Sequence, residues 1–100
     1  MSSSTDLAIL TYGDFGSHVG DVFSLRSAAG EVSLRLVEVR KLGHAQRAGG
    51  AFSLEFVSPP GPVLPQAIYA LDHSALGSLA IFLVPLGRTP DGVTYEAIFT

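Results

Sequence analysis

A chain of 100 residues, 47% hydrophobic and only 15% charged, with a net charge of −3, has room for one core but not for a core plus a separate substrate domain. The charged share lies well under the usual figure of about 25%; an apolar surface would therefore be thinly solubilised, and burial against a partner, most simply a homo-oligomer, is the expected remedy. The six cations are Lys41 and scattered arginines, too few to track phosphates or to dock on an anionic membrane, so neither nucleic acid nor a membrane is an expected partner. With no cysteine, a disulfide framework and a thiolate metal site are excluded, and the redox compartment stays open.

Taken in chain order, residues 1–6 read as a polar, loosely ordered leader to a single small β domain spanning residues 1–100. The start MSSSTDLAIL has no basic region and only a brief apolar run, so it is not a secretory signal. It predicts a protein cytoplasmic at synthesis, with a later place in an exported assembly left open. Thr11 followed by Asp14 approximates a capping box and Gly20 suits a left-handed C-terminal residue, predicting a helix over about Tyr12 to Val19 with Tyr12, Phe15 and Val19 facing the core.

From Asp21 onward the pattern has period two, and six strands are expected. They are Val22 to Ser27, Glu31 to Leu42, Ala51 to Ser58, Gln66 to Asp72, Ser78 to Val84 and Val93 to Phe99. In the second, Val32, Leu34 and Leu36 share one parity while Val37 and Val39 take the other, which predicts a β-bulge near Leu36 and Val37. The third buries Phe52, Leu54 and Phe56 and shows Ser53 and Glu55. Between it and the fourth, Pro59 to Pro65 make a stiff connection that cannot pair in mid-sheet. Turns are expected at Ala28 to Gly30, at His73 to Ala75 and at Thr89-Pro90-Asp91-Gly92, with His44 to Gly50 a polar loop. The last strand carries the chain to its end, so little could be trimmed there.

The run LGSLAIFLVP, Leu76 to Pro85, is apolar on both faces: Leu79, Ile81 and Leu83 alternate with Ala80, Phe82 and Val84. An antiparallel strand with one face in water would alternate apolar with polar, so this one needs cover on both sides, inside a barrel or sandwich or against another subunit. The run falls far short of the roughly 18 residues of a membrane span. The predicted fold is mainly β, a six-stranded antiparallel barrel or sandwich with the short helix capping one end.

No constellation carries a cofactor or catalytic signature. Asp72-His73-Ser74 holds the residue types of a hydrolytic triad, but neighbours on an extended chain point to opposite faces; the expected reading has His73 bonding backbone at a strand end while Asp72 fixes the turn. His18 between Asp14 and Asp21 offers one imidazole and two carboxylates with no second histidine expected nearby, so an Asp14 to His18 helix pair is favoured over a metal. Glu38, Glu55 and Glu96 lie on strands where Arg26, Arg35 and Arg40 can pair with them across a solvated face. The glycines 13, 16 and 20 lack the preceding strand and following Lys-Ser/Thr of a phosphate loop. Pro62 to Pro65 satisfies PxxP without flanking basic residues, and a rigid connector is the simpler explanation.

DFGSHVGDVFSL, AFSLEFVSPPGPVLPQAIYALDHSALGSLAIFLVPLG and GVTYEAIFT resemble, over nearly the whole chain, a family of small bacterial domains of uncharacterised function. The shared pattern is a Phe-x-Leu-x-Phe strand, a proline-bearing loop, a Leu-x-Gln-x-x-Tyr segment met by Leu64 to Tyr69, then His73, Leu76-Gly77, a Phe-Leu-Val-Pro strand and Tyr95-Glu96-Ala97. Ala67 stands where many members have glycine. Members look like companions of proteins with phage-tail-collar-like domains; the resemblance implies an accessory or structural role in a fibre-like or tail-like assembly and no catalytic residues.

Three functional expectations follow. The leading one is a non-enzymatic interaction module that self-associates or joins a larger partner, helped by the edges an open six-stranded sheet would offer for strand addition. The alternative is a small-ligand binder at the barrel mouth, where Gln66, Tyr69, His73 and Tyr95 supply polar groups near Phe82; an interior filled by Phe52, Phe56, Phe82 and Phe99 would leave no room for it. An enzyme would have to rest on His73 with Glu55 or Glu96.

Overall fold

The computed structural model describes residues 11–27, 30–42 and 51–99. The leader, the first turn after Ser27 and the loop from residue 43 to 50, including His44 and Arg47, lie outside the described residues. The period-two patterning is met by six strands: β1 Val22–Ser27, β2 Gly30–Lys41, β3 Phe52–Ser58, β4 Ala67–His73, β5 Gly77–Thr89 and β6 Gly92–Phe99. They pair antiparallel in the order β1-β2-β3-β6-β5-β4, and β4 returns to β1, where Leu25 faces Leu71 across the closing seam.

Closure settles the choice between barrel and sandwich, and it also removes the open edges expected for strand addition, because each strand is paired on both sides. The bulge expected in β2 lies between Leu36 and Glu38, where the register against β3 shifts. A second shift, between Pro85 and Gly87 in β5, was not anticipated. It lets the strand run on past Pro85 to Thr89, beyond the expected end at Val84.

One face of each strand fills the barrel. Phe23, Leu25, Leu34, Leu36, Phe52, Leu54, Phe56, Leu71, Leu79, Ile81, Leu83, Val93, Tyr95 and Ala97 form one buried cluster with Phe15. Ser53, expected at the surface, is also buried.

The helix α1, Tyr12–Gly16, is shorter than its sequence suggests. Its capping box forms in both directions, the Thr11 hydroxyl accepting the Asp14 N–H and the Asp14 carboxylate accepting the Thr11 N–H at 2.8 Å. Phe15 packs against the stacked pair of Phe52 and Phe99, with ring centroids 5.7 and 5.6 Å away, and Lys41 lies over the Tyr12 ring. Val19 departs from expectation: helical geometry ends at Gly16, the spacing of four from Phe15 no longer keeps it on the buried face, and it is 48% exposed. Gly20 has the positive φ foreseen for it, 97°, but serves to join the chain to β2, its N–H bonding the Leu36 carbonyl at 2.7 Å.

The antiparallel order gives the barrel two unlike ends. At one, α1 and the segment to Asp21 cover the start of β3 and the ends of β4 and β6. At the other, the proline connection runs from the end of β3 to the start of β4, and the β5–β6 hairpin turns through Pro90 and Asp91.

Candidate functional site

The sequence-nominated residues do not converge on one mouth. Tyr95 is buried inside the barrel, and its hydroxyl accepts the Leu64 N–H at 2.9 Å. The Tyr69 hydroxyl donates to the Pro65 carbonyl at 2.6 Å. Both tyrosines therefore pin the proline connection over one end, with exposed Gln66 beside it. His73, at the far end of β4, sits under the opposite end. Phe82 lies outside the barrel and is 50% exposed, so it is no part of the interior; Phe52 and Phe56 fill that space, with Phe99 packed against them.

At the helix end, three groups far apart in sequence meet. A single Asp21 carboxylate oxygen accepts from His18 Nδ1 at 3.0 Å and from His73 Nε2 at 2.9 Å. The histidine rings lie 4.5 Å apart, and the His73 ring is also 4.5 Å from that of Phe23. The His18 partner is thus Asp21, not Asp14, whose carboxylate is engaged in the cap. The convergence of His73 was invisible in the sequence because it depends on β4 closing against β1. These two bonds to imidazole, His73 first and His18 second, hold the Asp21 carboxyl below its ordinary value.

The strand-end role expected of His73 is present: its Nδ1 accepts the N–H groups of Ala75 and Leu76 at 3.0 and 3.1 Å. Asp72 faces outward, paired first with Arg26 on β1 and also hydrogen-bonded to Ser78 across the base of that hairpin; these bonds hold its carboxyl below the ordinary value.

The three ligand atoms of His18, Asp21 and His73 lie within 4.8 Å of one another, a spacing one divalent cation could span. The hydrogen bonding disfavours that use. A histidine ligand usually donates its remote N–H to an acceptor, whereas the remote nitrogen of His73 is itself the acceptor of two backbone donors. Its one proton must then sit on Nε2, facing Asp21, where a cation would need the lone pair. The set is wired for a proton.

On the outer wall, Glu38, Glu55 and Glu96 stand level across β2, β3 and β6. Arg40 bonds Glu38 at 2.8 Å along the same strand, not across strands as expected, and this pair, helped by Glu55 and Glu96, holds the guanidinium above its ordinary value. Next to this charged stretch lies an apolar row. Ile68 faces Phe82 directly, and the register that sets Val84 opposite Glu96 carries Phe82 level with Ile98. These three are 68%, 50% and 59% exposed, with Ala70 opposite Ala80 beside them. The outer face of β5 that needed cover thus lies open in the single chain. Recesses of about 280 and 330 Å³ flank Pro59 and Pro60, the first also lined by Leu64 and the buried Tyr95. Among the described residues no buried side-chain nitrogen or oxygen lacks a partner, so no orphaned polar group marks a ligand site.

Fold and surface together define a small closed β-barrel with two plugged ends and an apolar outer strip. The chain belongs to the DUF6916 family, a domain of unknown function, whose pattern matches residues 10–99. No curated protein and no solved structure matches it.

Proposed function

We propose that this protein is a non-enzymatic interaction module that self-associates through the outer face of β4, β5 and β6. The observation that carries the reading is the row Ile68, Phe82, Ile98, three large apolar side chains at least half exposed and level across neighbouring strands. A contiguous apolar strip on so small a domain costs solubility, and burial against a second copy relieves that cost. An aromatic flanked by β-branched residues is also the composition of an interface centre. The finer form of the proposal is an accessory role in a fibre-like or tail-like assembly, supported by the resemblance to companions of phage-tail-collar-like proteins.

Sedimentation of the purified chain over a wide concentration range tests it. The expected result is a concentration-dependent oligomer whose dissociation constant weakens about tenfold or more in Phe82→Ser, a hot-spot-sized loss, while stability moves by only about 0.5 kcal/mol because the side chain lies outside the core. A monomer at every concentration, or an oligomer indifferent to Phe82→Ser and Ile68→Ser, overturns the reading.

A further inference from the structure

We infer that His73 is a proton-gated latch: in its neutral form it ties the segment leading into β1 to the β4–β5 turn, and a second proton on its ring releases that turn. The inference rests on geometry. The side chain is 3% exposed, with a different type of partner on each nitrogen. Nε2 donates to Asp21 at 2.9 Å, and Nδ1 accepts from Ala75 and Leu76. A carboxylate only accepts and a backbone N–H only donates, so these partners are satisfied together by the neutral Nε2–H tautomer alone.

Protonation of Nδ1 places an N–H against two other N–H groups. Both bonds to the turn are lost, while the bond to Asp21 survives and gains charge. The latch therefore opens at the turn and stays closed at Asp21. Since Ser74, Ala75 and Leu76 form the whole connection between β4 and β5, the released piece is the tip of that hairpin at the helix end of the barrel.

Among the described residues, the charged and titratable groups around His73 can be named element by element. The segment after α1 contributes His18 and Asp21. On β4 its neighbour Asp72 faces the other way, paired with Arg26 of β1. From β1 the packed group is the uncharged Phe23 ring, and β5 places Gly77 opposite. His18 faces the same Asp21 oxygen as His73, and the two rings lie 4.5 Å apart.

The test is magnetic resonance of the uniformly labelled protein from about pH 8 to pH 5, the window in which imidazoles titrate. Long-range imidazole spectra are expected to place the His73 proton on Nε2 at pH 8. As the ring takes its second proton, hydrogen-exchange protection at Ala75 and Leu76, corrected for intrinsic rates, is expected to fall about tenfold or more, while protection in β3 and β6 holds. In His73→Asn, whose side-chain oxygen can still accept near the Nδ1 position, protection of the two amides is expected to stay level with pH. One equivalent of zinc chloride is expected to leave the His73 Nε2 proton in place. The inference is overturned by an Nδ1–H tautomer at pH 8, by unchanged protection at Ala75 and Leu76 through protonation, by an equal pH response in the variant, or by loss of the Nε2 proton on adding zinc.

Discussion

The two ends of the barrel are plugged by opposite means. At the helix end the cover is held by an aromatic cluster, Phe15 packed on the stacked Phe52 and Phe99, and by titratable groups, His18, Asp21 and His73. At the proline end it is held by conformational stiffness, by the hydroxyls of Tyr69 and Tyr95, and by Arg88 donating to the Gly61 carbonyl at 2.8 Å. The groups holding this second plug are phenols, a guanidinium and prolines, with no histidine or carboxylate among them. The difference teaches that one end can respond to protons and the other is built to stay shut.

The sharpest way to break the comparison is a matched pair of glycine replacements, one at each end. Gly92 has φ 147°, and a Cβ there would lie 1.7 Å from the Ser58 carbonyl oxygen, a backbone atom with no room to retreat. Gly20, at the helix end, has φ 97° but nothing within 4 Å of the same position. Gly92→Ala is expected to cost about 4 kcal/mol or more, strain and steric clash combined, and Gly20→Ala only about 1–2 kcal/mol for the left-handed backbone. Urea unfolding of the two variants measures both, and equal costs would erase the claimed difference in tightness between the ends.

How much of this was legible in the sequence depends on how local each cause is. The Thr11/Asp14 cap, the six strands and the bulge at Leu36 and Val37 are all written in spacings of a few residues. The exposed row was half legible: the two-faced alternation around Phe82 announced an outer apolar face, but only the register against β4 and β6 shows Ile68 and Ile98 beside it. Of the histidine cluster, His18 and Asp21 stand together in the sequence, but His73 does not, since the β1–β4 seam that closes the barrel is what brings it to Asp21. The bulge that carries β5 past Pro85 was missed because a proline ordinarily argues against a continuing strand. Asp72 meets Arg26 across a strand pair, which no local spacing announces, whereas His18 turns to Asp21 three residues on because the helix ends at Gly16 and the i, i+4 step from Asp14 is lost.

Tyr95→Phe sharpens the comparison from the proline end. The hydroxyl is the acceptor for the Leu64 N–H at 2.9 Å in a part-buried setting, so its removal strands one backbone donor beneath the plug. The expected loss is about 1–2 kcal/mol, which in a domain of this size lowers Tm by about 4–16 °C. The loss is expected to be the same at pH 8 and pH 5, since the lost bond joins a hydroxyl to a backbone N–H with no histidine or carboxylate in it. A loss that grows markedly on acidification would show that the proline end shares the proton response assigned to the helix end.

The smallest expected effect is the acid limb of stability, and its sign follows from Asp21. Bonding first to His73 and then to His18 holds this carboxyl below its ordinary value of 3.8 in the folded chain. The folded state therefore binds this proton less readily than the unfolded state, and the stabilisation is fully present above the unfolded value. It is lost as pH falls through the depressed one. Asp72, held down by Arg26, contributes with the same sign. Thermal unfolding between about pH 5 and pH 2 is accordingly expected to show Tm falling with acid. In Asp21→Asn that fall should be shallower, because the amide has no charge to lose, while Tyr95→Phe should retain the parent slope. If Asp21→Asn and the parent chain lose Tm in parallel, the carboxylate between the two histidines is not what makes the helix end sensitive to acid, and that part of the claimed difference between the ends is lost.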